Sequence, residues 1–78
     1  MFDLELENWA REFVQKHSES FDSIPQSLID EIIDHGFDSG CHSPSWGFDR
    51  RNWRHQNSRV WISEVRGDPE KGSYFEIW

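Results

Sequence analysis

Apolar residues in the first half of this 78-residue chain recur with the period of an α-helix, and those of its second half do not. Leu6, Trp9, Ala10, Phe13, Val14 and His17 fall at i, i+3, i+4, i+7, i+8 and i+11, which is one face of a helix over residues 4–18. Asp3 is a suitable N-cap, and Glu5 and Glu7 sit near the positive end of the dipole. Glu7–Arg11 and Glu12–Lys16 are i,i+4 pairs in the favourable order, so this helix's acids have local explanations. His17, on the apolar arc, reads as a packed histidine. A second helix opens at Ser23, which has capping-box spacing to Gln26, with Pro25 in the first turn. Leu28, Ile29, Ile32 and Ile33 form its apolar stripe. Gly36 at C′ followed by Phe37 predicts a Schellman ending that folds Phe37 back onto Ile32.

From Asp38 onward the pattern changes. Residues 38–49, DSGCHSPSWGFD, read as an ordered loop. Val60–Val65 and Tyr74–Trp78 read as strands joined by a GDPEKG loop, and Arg51–Gln56 as a third strand turning at Gln56-Asn57-Ser58. The expectation is a single α+β domain over residues 1–78. Two N-terminal helices pack on a small antiparallel sheet of two or three strands, in the order ααβββ. A chain this short buries only about 60–65% of the surface its unfolded form exposes. Five Trp, six Phe and one Tyr must therefore supply much of the core, and one or two Trp should reach the surface.

Charge is segregated along the chain. Residues 1–38 hold ten acids and two bases, a net of −8, and residues 39–78 hold five acids and six bases, a net of +1. No Lys or Arg occurs between Lys16 and Arg50, and then Arg50, Arg51, Arg54 and Arg59 arrive within ten residues. A net charge of −7 disfavours non-specific contact with nucleic acid or anionic membrane and favours basic partners, including proteins that themselves hold nucleic acid. The single Cys41 excludes an internal disulfide and suits a reducing compartment. No apolar run approaches the roughly 18 residues that span a bilayer, and the start MFDLELENW lacks a basic n-region, so a cytoplasmic location is expected.

Four constellations carry chemistry. Asp30, Glu31 and Asp34 occupy one arc opposite the apolar stripe of the second helix, with Asp38 just beyond. None has a basic neighbour within that helix. Asp30 and Asp34 repel at i,i+4, and Asp34 lies at the negative end of the dipole, each costing a few tenths of a kcal/mol. Carboxylates one turn apart lie about 6 Å from one another, comparable to neighbouring phosphates on a nucleic-acid strand. The competing reading is a solvated face, or one neutralised by Arg50, Arg51 and Arg54. The segment WGFDRRNWRHQNSRVW mixes arginines with aromatics, as single-stranded nucleic-acid platforms and protein hot spots both do. Asp34, His35, Asp38, Cys41, His42 and His55 could ligate a metal but match no zinc spacing, and no metal or cofactor is expected. Cys41 with a histidine, or Arg51, Arg54 and His55, could be imagined as catalytic groups. No motif unites nucleophile, base and oxyanion donors, so the chain reads as a non-enzyme.

In overall character, small, acidic, Trp-rich and without catalytic features, the chain is similar to virus- or mobile-element-encoded inhibitors such as anti-CRISPR and anti-restriction proteins, and to bacterial immunity proteins. The similarity is one of composition and transfers no site. The leading expectation is a protein-binding inhibitor, a nucleic-acid mimic presenting Asp30, Glu31, Asp34 and Asp38 to a basic groove, with Trp46 and Trp53 as exposed anchors. The alternative is a nucleic-acid-binding or regulatory module using Arg50, Arg51, Arg54 and Trp61. A third reading is an assembly subunit that pairs through its C-terminal strand.

Overall fold

Helix α1 spans Leu4–Lys16, two residues shorter than its periodicity suggests. Its N-cap is Asp3, whose side chain accepts from the Leu6 amide at 3.2 Å. The structure, a computed structural model, describes the backbone of residues 1–42 and 49–77, and the side chains of these residues other than 40–42. Trp46 therefore lies outside the described residues. Helix α2 spans Gln26–Asp34. Its N-cap is Pro25 with no side-chain cap bond, so the expected Ser23 capping box does not form. Proline at this junction has φ −59° and ψ 134°, an extended geometry that turns the chain into the helix without a hydroxyl acceptor.

The end of α2 follows the Schellman pattern. The Gly36 amide donates to the Ile33 carbonyl at 2.9 Å and the Phe37 amide to the Ile32 carbonyl at 3.3 Å. Gly36 has φ +88°, and a Cβ there would meet His55 Nε2 at 2.9 Å. Gly36→Ala should therefore lose about 1–2 kcal/mol from left-handed strain, before any cost of moving His55. A thermal melt should read this as a fall of roughly 4–8 °C per kcal/mol for a domain of this size. An unchanged melting temperature would contradict the αL assignment.

The sheet has four strands, β1 (Asp38–His42), β2 (Asp49–Arg54), β3 (Ile62–Asp68) and β4 (Gly72–Ile77), in the order β1-β2-β3-β4, all antiparallel. The class is α+β as expected, but the strand count is four, giving ααββββ. The extra strand is DSGCH, the first part of the segment read as a loop. Its pairing with β2 carries a register irregularity between Ser39 and Cys41, at Gly40. β3 begins two residues later than its hydrophobic run suggests, and β4 two residues earlier because the β3–β4 ladder extends past Val65 to the Asp68–Gly72 pair. The turn between them is fastened by Asp68, whose Oδ1 accepts from the amides of Glu70 at 2.8 Å and Lys71 at 3.3 Å. The Glu70 amide is the largest cause holding the exposed Asp68 carboxyl below its ordinary value of 3.8. A depressed carboxylate stabilises the fold above its unfolded pKa and loses that contribution as pH falls through the folded one. Asp68→Asn should thus lower the melting temperature at neutral pH, with the difference from wild type closing in the acid range below 3.8. A pH-independent difference would rule the effect out.

Strand alternation sorts the second half of the chain. Trp53, Ile62 and Phe75 face the helices and join Ala10, Phe13 and Val14 of α1 and Ile29 and Ile32 of α2 in one core with Phe37 and Val60. Phe13 meets Phe75 edge-on at 5.4 Å between centroids. Complete burial of a side chain such as Ile32 contributes roughly 1.5–3 kcal/mol. Ile33, expected in the apolar stripe, is instead half exposed: a nine-residue helix lying on a sheet buries a narrower arc than a bundle helix does. β4 forms one edge of the sheet, bridged on its outer side at Ser73 by Phe21. Among the described residues, no helix is long and apolar enough to cross a membrane.

Candidate functional site

The four carboxylates singled out on and after α2 are all exposed: Asp30, Glu31, Asp34 and Asp38. Asp30 accepts from Gln26 Nε2 at 3.1 Å, a neutral donor one turn earlier. Among the described residues no ion pair involves any of the four. Helical rise places Asp30 and Asp34 about one turn apart on the outer surface, and β1 begins with Asp38 directly after buried Phe37.

Of the arginines that could neutralise this face, Arg50 and Arg51 are committed elsewhere, and Arg54 stands opposite Asp38 in the β1–β2 ladder. Arg51 and Trp53 share the helix-facing side of β2, where Arg51 Nε and Trp53 Nε1 both donate to Glu64 Oε1, at 2.9 and 3.0 Å. The Arg51 guanidinium lies 4.7 Å from the Trp53 ring centroid. Arg66 Nη2 pairs with Asp49 Oδ2 at 3.0 Å, and its Nε lies 3.7 Å from Glu64 Oε2. Arg50, on the opposite side of the sheet, pairs with Glu76 at 3.1 Å. Arg59 reaches back to Glu7 Oε1 at 3.4 Å. Arg54 is the one of the five outside the ion pairs of the described residues, and its guanidinium lies 5.7 Å from the Trp61 centroid.

Several sequence expectations change here. Trp53 is 4% exposed and belongs to the core, so it cannot be an exposed anchor. Burial follows from its register partner, Ile62, which fixes it on the helix side. Among the described residues the arginines of this segment do not share one face: β2 directs Arg51 inward and Arg50 and Arg54 outward. Arg54 and Trp61 do meet, beside a cleft of about 470 Å³ lined also by Asp38, Ser39, His55, Gln56 and Ser58. Glu7 does not pair with Arg11. It is 3% exposed, with Oε2 buried and without a hydrogen-bond partner.

Two glutamates, Glu7 and Glu64, are buried, which was not anticipated from the sequence. For Glu64 a signal existed, because it sits midway between Ile62 and Arg66 at the inward positions of an alternating strand. For Glu7 there was none, since its partner lies 52 residues away. His35 and His55 are tied to backbone. His35 Nδ1 donates to the Glu31 carbonyl at 2.8 Å, and His55 Nδ1 accepts from the Asn57 amide at 2.9 Å. Among the described residues no three His, Cys, Asp or Glu side chains converge as a metal site would require. The side chains of Cys41 and His42 lie outside the described set.

Compared with protein-family models, curated proteins and solved structures, the chain matches none.

Proposed function

We propose that this chain is a non-enzymatic, protein-binding inhibitor whose α2 face imitates the charge row of a nucleic acid and occupies a basic groove on a nucleic-acid-handling protein. One observation carries the reading: Asp30, Glu31, Asp34 and Asp38 are exposed and outside every ion pair of the described residues, while Arg50, Arg51, Arg59 and Arg66 pair with other carboxylates and Arg54 alone stands opposite one of the four, Asp38, in the β1–β2 ladder. A helix that bears repelling carboxylates without local compensation gives up stability at a place where function can use it. Exposed Ile33, on the same helix next to Asp30 and Asp34, supplies an apolar contact within the acidic surface. Charge complementarity of this kind speeds association and excludes wrong partners, and it weakens as salt screens it.

The test is affinity capture from the native host with wild-type bait and with an Asp30/Glu31/Asp34→Ala bait, followed by mass spectrometry. The expected capture is a basic nucleic-acid-binding protein that is lost with the variant, released by salt and displaced by its own nucleic acid. Equal capture by both baits, or indifference to competing nucleic acid, would sink the proposal.

A further inference from the structure

Between α1 and α2 runs a groove of about 190 Å³, lined by Trp9, Glu12, Phe13, Lys16, His17 and Glu31. Its floor is an aromatic row. Trp9 and Phe13 have centroids 5.1 Å apart, and Phe13 and His17 4.8 Å apart. Trp9 is braced by His35, stacked at 3.6 Å and 15°. Trp9 and His17 are half-buried, so part of this row faces the opening. Glu12 on α1 and Glu31 on α2 form opposite walls. Both are exposed, and neither side-chain carboxylate has a hydrogen bond or ion pair among the described residues. Lys16 is the one cation at the rim.

An aromatic floor between two carboxylates is the chemistry of a cation receptor. The ring quadrupoles attract positive charge and the carboxylates accept its N–H groups. The choice between the two biological cations follows from shape and hydration. An ammonium is compact and strongly hydrated, whereas a guanidinium is planar, more weakly hydrated and stacks on rings. The volume equals about six waters at the liquid density of roughly 30 Å³ each, and falls below the roughly 300–1,000 Å³ of small-molecule sites. It suits a side-chain head group with part of its stem.

We infer that this groove receives an arginine side chain of the basic partner. The inference rests on the reading of α2 as the docking face, to which Glu31 joins the groove. Lys16 opposes the incoming charge and so sets the affinity from the α1 side.

NMR titration with an oligoarginine peptide and an oligolysine peptide of equal length, at low salt, tests the site. The Trp9 indole and His17 ring resonances should shift saturably with oligoarginine, with affinity several-fold above that for oligolysine. Glu31→Gln and Glu12→Gln, both surface changes, should each weaken oligoarginine roughly five- to tenfold, as loss of a charge-assisted hydrogen bond does. Lys16→Ala should strengthen it. Equal affinity for the two peptides, or a Trp9 resonance that does not move, overturns the groove assignment. The backbone amides of Asp30 and Asp34 separate the two readings. If they shift while Trp9 does not, only the groove fails; if neither moves, the docking face fails with it.

Discussion

Glu64→Ala should destabilise this protein by about 3 kcal/mol, near the lower end of the 3–5 kcal/mol typical for breaking a buried ion pair. The carboxylate is 2% exposed and accepts from both Arg51 and Trp53. Its loss leaves the Trp53 indole N–H buried without an acceptor, which alone costs about 1–3 kcal/mol. The guanidiniums moderate the total. Arg51 and Arg66 side chains are 26% and 39% exposed, so both have a route to water when their partner is gone. Against a total stability of about 5–15 kcal/mol, a loss of this size moves the denaturation midpoint far. Glu64→Gln should cost less, since an amide oxygen can still accept from Trp53. A urea midpoint for Glu64→Ala within error of wild type would show that the cluster is solvated in effect and contributes little.

Replacing Asp30, Glu31 and Asp34 together by alanine should have the opposite profile. Folding stability should hold or rise, because the substitution removes the Asp30–Asp34 repulsion and an acid at the negative end of the α2 dipole, each a few tenths of a kcal/mol, and alanine favours helix. Among the described residues, the one side-chain hydrogen bond lost is the exposed one from Gln26 to Asp30. Partner binding should fall about 100-fold or more at low salt, equivalent to about 2.7 kcal/mol, and the residual affinity should depend less on ionic strength. Calorimetric melts paired with binding measurements over a salt series check both halves. A variant that melts lower, or binds with an unchanged salt slope, would refute the reading of these acids as functional.

How much of this was legible in the sequence depended on the distance over which each feature is decided. The helices, the Asp3 cap and the Schellman ending were readable because period, cap and glycine lie within a few residues of one another. Strand β1 was not. DSGCH has neither alternation nor β-branched residues, and it becomes a strand because β2 offers it a ladder. The fates of Glu7, Trp53 and Glu64 were equally hidden, since their partners lie 52 and 11 residues away. For the candidate site, the acidic row was read directly from composition and spacing. Whether the arginines would neutralise it was not readable, because that turned on which side of β2 each one occupies.

Phe37 is 1% exposed and sits between the last acid of α2 and Asp38. The chain between Asp34 and Asp38 is thus pinned at Phe37 to the hydrophobic core. The spacing of the charges on that surface is inherited from the packing beneath it, as graduations on a ruler are inherited from the bar. A molecule that met this face would encounter backbone positions already set, and the ordering that a flexible acidic segment must undergo on contact has here been completed during folding.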